Sequence, residues 1–363
     1  TSLKIARDPS IFVSTHFFKN DLSVLKTFLR TPAMPECRQS FSLGPRHPLL
    51  PDEMAEQLEA LEGLVKQTWN VWGVSTLFGF KPDSELQLKL YAKRLREEVA
   101  GILPHEDVTY DAQFSIMESI NSRPDPADPP AIKVEIFSKP SDKDQIEKTI
   151  YTGIFLSWRT VLTDVGCDNS MKLPLLLCRG TKSAMNAVHT IIGHMFDCIV
   201  VSLPATEDEL MWLMPIILNP TTNQEASEKG EVRLEYRIPG LPASDTIIIK
   251  FELTALVKMW KAIIDNDEDE AESDMYIKPE RVAKFHQVIK TQMLEVAGLQ
   301  LGLCILNKIS LPSFTMTDNR MKATTTVAMN RFLLFFNDRA LTVLHTLDYD
   351  STQTITSETI ASH

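Results

Sequence analysis

Glycine is scarce in this sequence, with 13 in 363 residues, about half of ordinary usage. Backbones that approach a phosphate closely are built from glycine, so nucleotide-binding loops are disfavoured before any motif is sought. None is found: GxxxxGK[ST] and GxGxxG are absent, and Gly180-Thr181-Lys182-Ser183 lacks the preceding glycine that would shape a cradle, which leaves a turn and a helix cap. Cysteine is sparse too. Cys37, Cys167, Cys178, Cys198 and Cys304 are odd in number, irregularly spaced and without a CxxC, which predicts reduced, mostly buried thiols rather than a disulfide framework. No apolar run approaches the ~18 residues that span a bilayer, and the start of the sequence lacks a secretory pattern, so an intracellular chain without membrane contact is expected. Positive charge is also short, at 37 Lys+Arg against 48 Asp+Glu for a net charge of -11. Any contact with DNA must therefore be local.

Catalytic and metal motifs are missing as well. HExxH and GxSxG do not occur. His189 and His194 are five apart, which sets them about 140° apart around a helix, too far to share a metal. His194 and Cys198 could share a face, but two ligands without a third make no site. Acid and base pairs could be drawn from many carboxylates, and none is singled out. The reading is an absence of catalytic, metal-binding and cofactor-binding residues and of a small-molecule substrate.

What is present is a long chain with 44% hydrophobic residues, enough for a large core. Residues 1–50 read as a basic, partly disordered arm, with Lys4, Arg7, Lys19, Lys26, Arg30, Arg38 and Arg46 among five prolines. Residues 51–104 read as a helical segment: Leu58, Leu61, Leu64, Val65, Thr68 and Trp69 recur at helical spacing, then an aromatic turn covers Trp72 to Phe80. A second helix opens at Ser84, with Gln87 completing a capping box.

Residues 105–347 read as one α+β domain. Strands are expected at Val108 to Met117, Ile132 to Phe137, Ile150 to Leu162 and Leu173 to Cys178, with the proline cluster 124–130 as a hairpin loop. A helix from Ser183, a short strand Ile199 to Leu203 and a helix capped by Thr206 and Glu209 follow. Val232, Leu234, Tyr236 and Ile238 alternate mostly with charges, and Ile247, Ile249, Phe251 and Leu253 alternate with Ile248, Lys250 and Glu252, as antiparallel strands with one wet face do. Helices at Leu256 to Ile264 and Pro279 to Ala297 flank an acidic run at 265–274. Strands close the domain at Leu299 to Ile309, Lys322 to Met329 and Arg331 to Phe336, and residues 348–363 read as a disordered tail. Strands in groups, rather than strict βαβ alternation, give the fold class: α+β, a curved, largely antiparallel sheet decorated by helices, with an N-terminal helical segment.

Several stretches carry a more specific signal. These are Trp69-Asn-Val-Trp72-Gly-Val-Ser-Thr-Leu-Phe78-Gly-Phe80 and the block from Tyr151 to Trp212, which contains Thr152-Gly153-Ile154-Phe155, Leu173-Pro174-Leu175-Leu176-Leu177, Gly180 and Met195-Phe196-Asp197-Cys198. In order and spacing, from about 60 to 345 and including the Trp260 helix, the chain resembles the centromere protein L (CENP-L) family. The resemblance implies a non-enzymatic scaffold of the inner kinetochore, in the nucleus at the centromere, that serves chromosome segregation. It also implies a heterodimer with a CENP-N-type subunit, contacts with CENP-H, CENP-I, CENP-K and CENP-M-type subunits, and a share in holding linker DNA of the centromeric nucleosome.

Two sets of residues follow from that likeness. Phe332 to Phe336 supply more apolar surface than one strand buries on one side, and the family's C-terminal pairing assigns Val327, Met329, Phe332, Leu334 and Phe336 to the CENP-N-type partner, with ordinary core as the other reading. Lys148, Lys308, Arg320 and Lys322 stand at or near basic positions of the family's DNA-facing groove, against the reading of each as a solvated surface charge. Two rivals to the scaffold are an enzyme whose site leaves no motif and an interaction module unrelated to centromeres.

Overall fold

A computed structural model describes residues 10–14, 41–42, 51–103, 108–120, 124, 128–140, 147–158, 169–219, 230–242, 244–265 and 276–360. Cys37, Cys167, most of the 1–50 arm and the acidic run 266–274 lie outside the described residues. In chain order the elements are β1 (Ser10–Ser14), β2 (Phe41–Ser42), α1 (Pro51–Ala60), β3 (Thr68–Val74), β4 (Leu77–Phe78), α2 (Glu85–Ile102), β5 (Val108–Ile116), β6 (Ile132–Pro140), β7 (Lys148–Leu156), β8 (Ser170–Met171), β9 (Leu175–Gly180), α3 (Lys182–Phe196) and β10 (Val200–Ser202). There follow α4 (Glu207–Leu218), β11 (Glu231–Arg237), β12 (Thr246–Glu252), α5 (Leu253–Asp265), β13 (Tyr276–Ile277), α6 (Pro279–Ala297), β14 (Ile305–Ser310), β15 (Phe314–Thr317), β16 (Arg320–Ala323) and α7 (Thr326–Ile360). This is the expected α+β class with largely antiparallel strands.

The chain divides into two compact units, each made of two separated stretches: residues 1–44 with 204–332, and residues 45–203 with 333–363. In the unit built mainly from 45–203, β5, β6, β7, β9 and β3 follow one another antiparallel, and β10 also pairs with β3. α2 and α3 supply Leu88, Leu95, Val99, Val188, Ile191 and Ile192 to a core shared with Val134, Ile136, Tyr151 and Phe155 of the strands. Gly153 is required there, because a Cβ would stand 2.4 Å from the Tyr151 hydroxyl. His189 of α3 lies beneath, its ring 4.4 Å from that of Trp72 and its Nε2 3.4 Å from the Tyr151 hydroxyl. In the other unit β1, β12, β11, β14, β15 and β16 are sequential neighbours, antiparallel except for β1 against β12.

Two expectations are corrected. The helical stripe from Leu58 to Trp69 is not one helix: α1 ends at Ala60, Leu61 and Leu64 are buried around a single 3-10 turn, and Thr68–Val74 is strand. Lys66 takes a left-handed φ of 63°, which no helix accommodates, and beyond it Trp69 and Val71 alternate inward with exposed or half-buried neighbours. The second correction concerns the C-terminal strands. Only Arg320–Ala323 is strand, and from Thr326 the chain is α7. Thr325 caps it, its hydroxyl accepting from the Ala328 N–H at 3.3 Å. Phe332, Phe336, Ala340 and Leu344 then recur every four residues and are all buried. The backbone of α7 extends to Ile360, through most of the expected tail.

Helix α4 cannot satisfy its own backbone. Thr206 and Glu209 close the expected capping box at its start. Inside it, Pro215 has no N–H for the Met211 carbonyl one turn back. His286 of α6 replaces it, with Nε2 2.9 Å from that oxygen. At the buried C-terminus, Arg331 of α7 directs Nη1 at the carbonyls of Ile216 (3.1 Å), Ile217 (3.0 Å) and Asn219 (2.6 Å). These are last-turn carbonyls with no helical partner, and a cation also suits the negative end of the helix dipole. Trp260 of α5 holds the cap residue, its indole N–H donating to the Asn219 side chain at 3.1 Å. Burial lowers the Arg331 guanidinium to about 10, which leaves it charged at neutral pH.

Replacing Arg331 by Met keeps the stem packing but strands those carbonyls, and should cost about 3 kcal/mol in chemical denaturation. A loss below about 1 kcal/mol would show that water caps the helix equally well. Acid should act on the two buried histidines, whose pKa values burial lowers to about 4 from 6.5. With the folded value below the unfolded one, the unfolded chain takes up protons first, so stability is full above about pH 6.5 and declines toward pH 4. At pH 5 each histidine should account for about 2 kcal/mol of lost stability. Denaturation series at pH 7.5 and 5.0 on the native chain and on His286→Gln check this, the variant being less sensitive to acid.

Candidate nucleic-acid interface

The alternation along β11 and β12 that points Val232, Leu234 and Tyr236, and Ile247, Ile249 and Phe251, into the core leaves the opposite face of that sheet mostly polar, with Ile248 opposite Glu235 as its apolar member. Across it stand Glu231, Arg233, Glu235 and Arg237 from β11 and Lys250 and Glu252 from β12. β14 to β16 continue the face with Lys308, Ser310, Thr315, Thr317, Arg320 and Lys322, while Ile309, Met316, Met321 and Ala323 point inward. Register sets Lys308 beside Thr317 and Thr317 beside Arg320, and Lys322 beside Thr315. Three of the four basic residues selected from the sequence are thus brought onto one face. Lys148, exposed at the start of β7, belongs to the other unit.

Charge on this face is partly cancelled. Glu231 accepts from Arg233 at 2.6 Å and pairs with Lys250 at 3.3 Å, and the Arg233 guanidinium holds its carboxyl below the usual value. Lys308 pairs with Glu235 at 3.4 Å. Arg320 and Lys322 are exposed and have no carboxylate partner among the described residues, so they are the cations most available to a phosphate. Thr315, beside Lys322, offers a hydroxyl donor of the kind that contacts DNA backbones, whereas the Thr317 hydroxyl, between Lys308 and Arg320, donates to the Asn307 carbonyl at 3.4 Å. Sequence reasoning passed over Arg237, on the same face, although the β11 alternation already turned it outward.

The residues selected for the partner lie elsewhere in the packing. Met329, Phe332, Leu334 and Phe336 are buried within this chain, and only Val327 is half-buried. Phe332 packs on Phe314, with ring centroids 5.6 Å apart. Asn337 follows, fully buried, and its side-chain oxygen accepts from the Trp158 N–H at 2.9 Å. The five-residue apolar run is therefore helix core, not surplus strand surface.

The remaining chemistry-bearing side chains are quiet. Burial pushes the Cys178 and Cys198 thiols up to about 12, so neither ionises at neutral pH. Among the described residues no three His, Cys, Asp or Glu side chains gather as a metal site. A cleft between Phe80, Phe114, Phe155 and Phe196 is lined by apolar side chains alone. No helix among the described residues is long and apolar enough to cross a membrane.

The family model described as Centromere protein L matches residues 63–346, well over half of the chain. No curated protein matches the sequence.

Proposed function

This chain belongs to the centromere protein L family, whose members are structural kinetochore proteins of the nucleus, and on that premise we propose that it is a non-enzymatic scaffold that pairs with a CENP-N-type subunit and helps hold centromeric linker DNA. The observation that carries the DNA reading is the row Lys308, Thr317, Arg320 with Lys322 and Thr315, set by strand register on one wet face of an otherwise acidic protein. A few well-placed cations suffice for phosphate contact whatever the net charge. The ion pair with Glu235 makes Lys308 the weaker contributor and Arg320 with Lys322 the stronger. Lys148 is proposed as a further phosphate contact from its own unit. Suppressed thiols and neutral buried histidines support a role without catalysis.

Contacts with the CENP-N-type subunit, and with CENP-H, CENP-I, CENP-K and CENP-M-type subunits, belong to the same proposal. Val327, Met329, Phe332, Leu334 and Phe336 contribute to pairing by building α7 and its core rather than by offering a free strand. Co-purification of the chain with centromeric nucleosome components from cross-linked chromatin tests the scaffold role.

The DNA face is tested by charge reversal. Arg320→Glu with Lys322→Glu, in the complex with the CENP-N-type subunit, should weaken binding to linker DNA about equally across sequences and lower the slope of log affinity against log salt by about two. Adding Lys148→Glu should lower it further, and Lys308→Glu should add least. An unchanged slope with the heterodimer intact would remove this face from the DNA path.

A further inference from the structure

The sulfur atoms of Cys178 in β9 and Met185 in α3 lie 3.7 Å apart, inside the unit built mainly from 45–203. The thioether is held in place, since the Asn70 side-chain amide, across from Cys178 in the β3–β9 register, donates to it at 3.7 Å. His189 follows Met185 by one helical turn, so the two side chains leave the same face of α3. The imidazole is also brought toward Cys178 from the sheet. Cys178 stands opposite Gly153 in the β7–β9 register, the Tyr151 hydroxyl lies over Gly153, and that hydroxyl is 3.4 Å from His189 Nε2. A thiol, a thioether and an imidazole thus converge from β9 and α3. Because one of the donors is a methionine, no His or Cys spacing in the sequence signals the group.

The imidazole has little other employment. His189 is only 7% exposed, yet its Nδ1 has no hydrogen-bond partner and its Nε2 has the one contact with Tyr151, longer than a well-formed hydrogen bond. A buried polar atom left unpaired calls for an explanation, and a bound ion is one of the few available. The donor set selects the ion. Carboxylates and carbonyls hold magnesium or calcium, whereas thiolate and thioether sulfur with imidazole suit Cu(I). At the ~2.3 Å length of a metal–thiolate bond, two sulfurs at the observed separation subtend about 107° at a shared ion, close to the tetrahedral angle. We propose that Cys178, Met185 and His189 form a Cu(I) site that pins α3 to the sheet through β9. Copper enters already as Cu(I), so no electron is transferred. The Cys178 thiol gives its proton to solvent as the sulfur–copper bond forms, while the thioether and His189 Nε2 each donate a lone pair, Nε2 giving up its long contact with Tyr151. Cys178 is fully buried and Met185 half-buried, so the ion reaches the pair from the Met185 side.

The full chain, purified under anaerobic reducing conditions, should take up one equivalent of Cu(I) in competition with a Cu(I) chelator, and X-ray absorption should show two sulfurs and one nitrogen at the copper. Uptake should raise the melting temperature, because an ion bound only by the folded state stabilises it by mass action. It should also quench tryptophan emission, since the Trp72 ring is 4.4 Å from the His189 ring. Cys37, Cys167, Cys198 and Cys304 are the competing thiols, and a chain with all of them replaced by Ser should still bind. In that background Met185→Leu, a volume-conserving change, should weaken Cu(I) by about tenfold or more with an unchanged circular dichroism spectrum, and His189→Gln should do the same. Should those variants unfold, the sulfur and nitrogen count in the absorption spectrum of the native chain decides. Uptake lost with the four serines, an affinity indifferent to the folded Met185→Leu variant, a copper without two sulfurs, or binding of zinc in place of Cu(I) would overturn the proposal.

Discussion

Helix α4 is the element that cannot stand without its neighbours. Its proline leaves one carbonyl unmet in mid-helix, and its C-terminal carbonyls face the interior rather than water. A buried unpaired carbonyl costs more than a made hydrogen bond returns, so a helix of this composition is possible only where outside donors are already fixed. α5, α6 and α7 supply one each: the Trp260 indole, the His286 ring and the Arg331 guanidinium. Their relative placement is dictated by polar satisfaction as much as by apolar contact. Arg331 shows the logic in its strongest form, as a buried cation balanced by helix-end carbonyls instead of a carboxylate.

Local rules were legible where they acted alone. The Thr206 and Glu209 capping box, the start of α6 at Pro279 and the alternation through β11 and β12 could be read directly, since each depends on residues a few positions apart. The errors fell where two periods fit the same letters. Leu58 to Trp69 matched a helical stripe, yet a left-handed Lys66 divides it, and nothing local announces a left-handed lysine. Three threonines followed by a run of phenylalanine and leucine looked like strand by propensity, but burial on several sides favoured a helix with a stripe every four residues. The helpers of α4 were beyond reach, because Pro215 and His286 are joined only by the fold.

For the candidate DNA face, the sequence located charges but not their neighbours. Lys308, Arg320 and Lys322 could be named, whereas the Glu235 that engages Lys308 lies three strands back in the chain and becomes adjacent only through the antiparallel pairing of β11 with β14. Effective charge on a sheet is thus a property of register. This is how a chain of net negative charge can offer a usable cationic row without any basic run in its sequence.

The interleaving of the two units has a consequence for biosynthesis. The unit that begins at Pro45 has its strands and both inner helices in place by Leu203, yet it draws its final elements from Leu333 onward. Trp158 waits for Asn337, 179 residues downstream, before its backbone N–H has the partner seen here. At ribosomal speeds of about 5–20 residues per second, that interval is on the order of ten seconds or more. Throughout it, most of one core exists on the nascent chain without the segment that completes it. Both units wait for α7, one for its first residues up to Phe332 and the other for the remainder from Leu333, so a chain stopped short of α7 would leave the ribosome with two incomplete cores rather than one folded half.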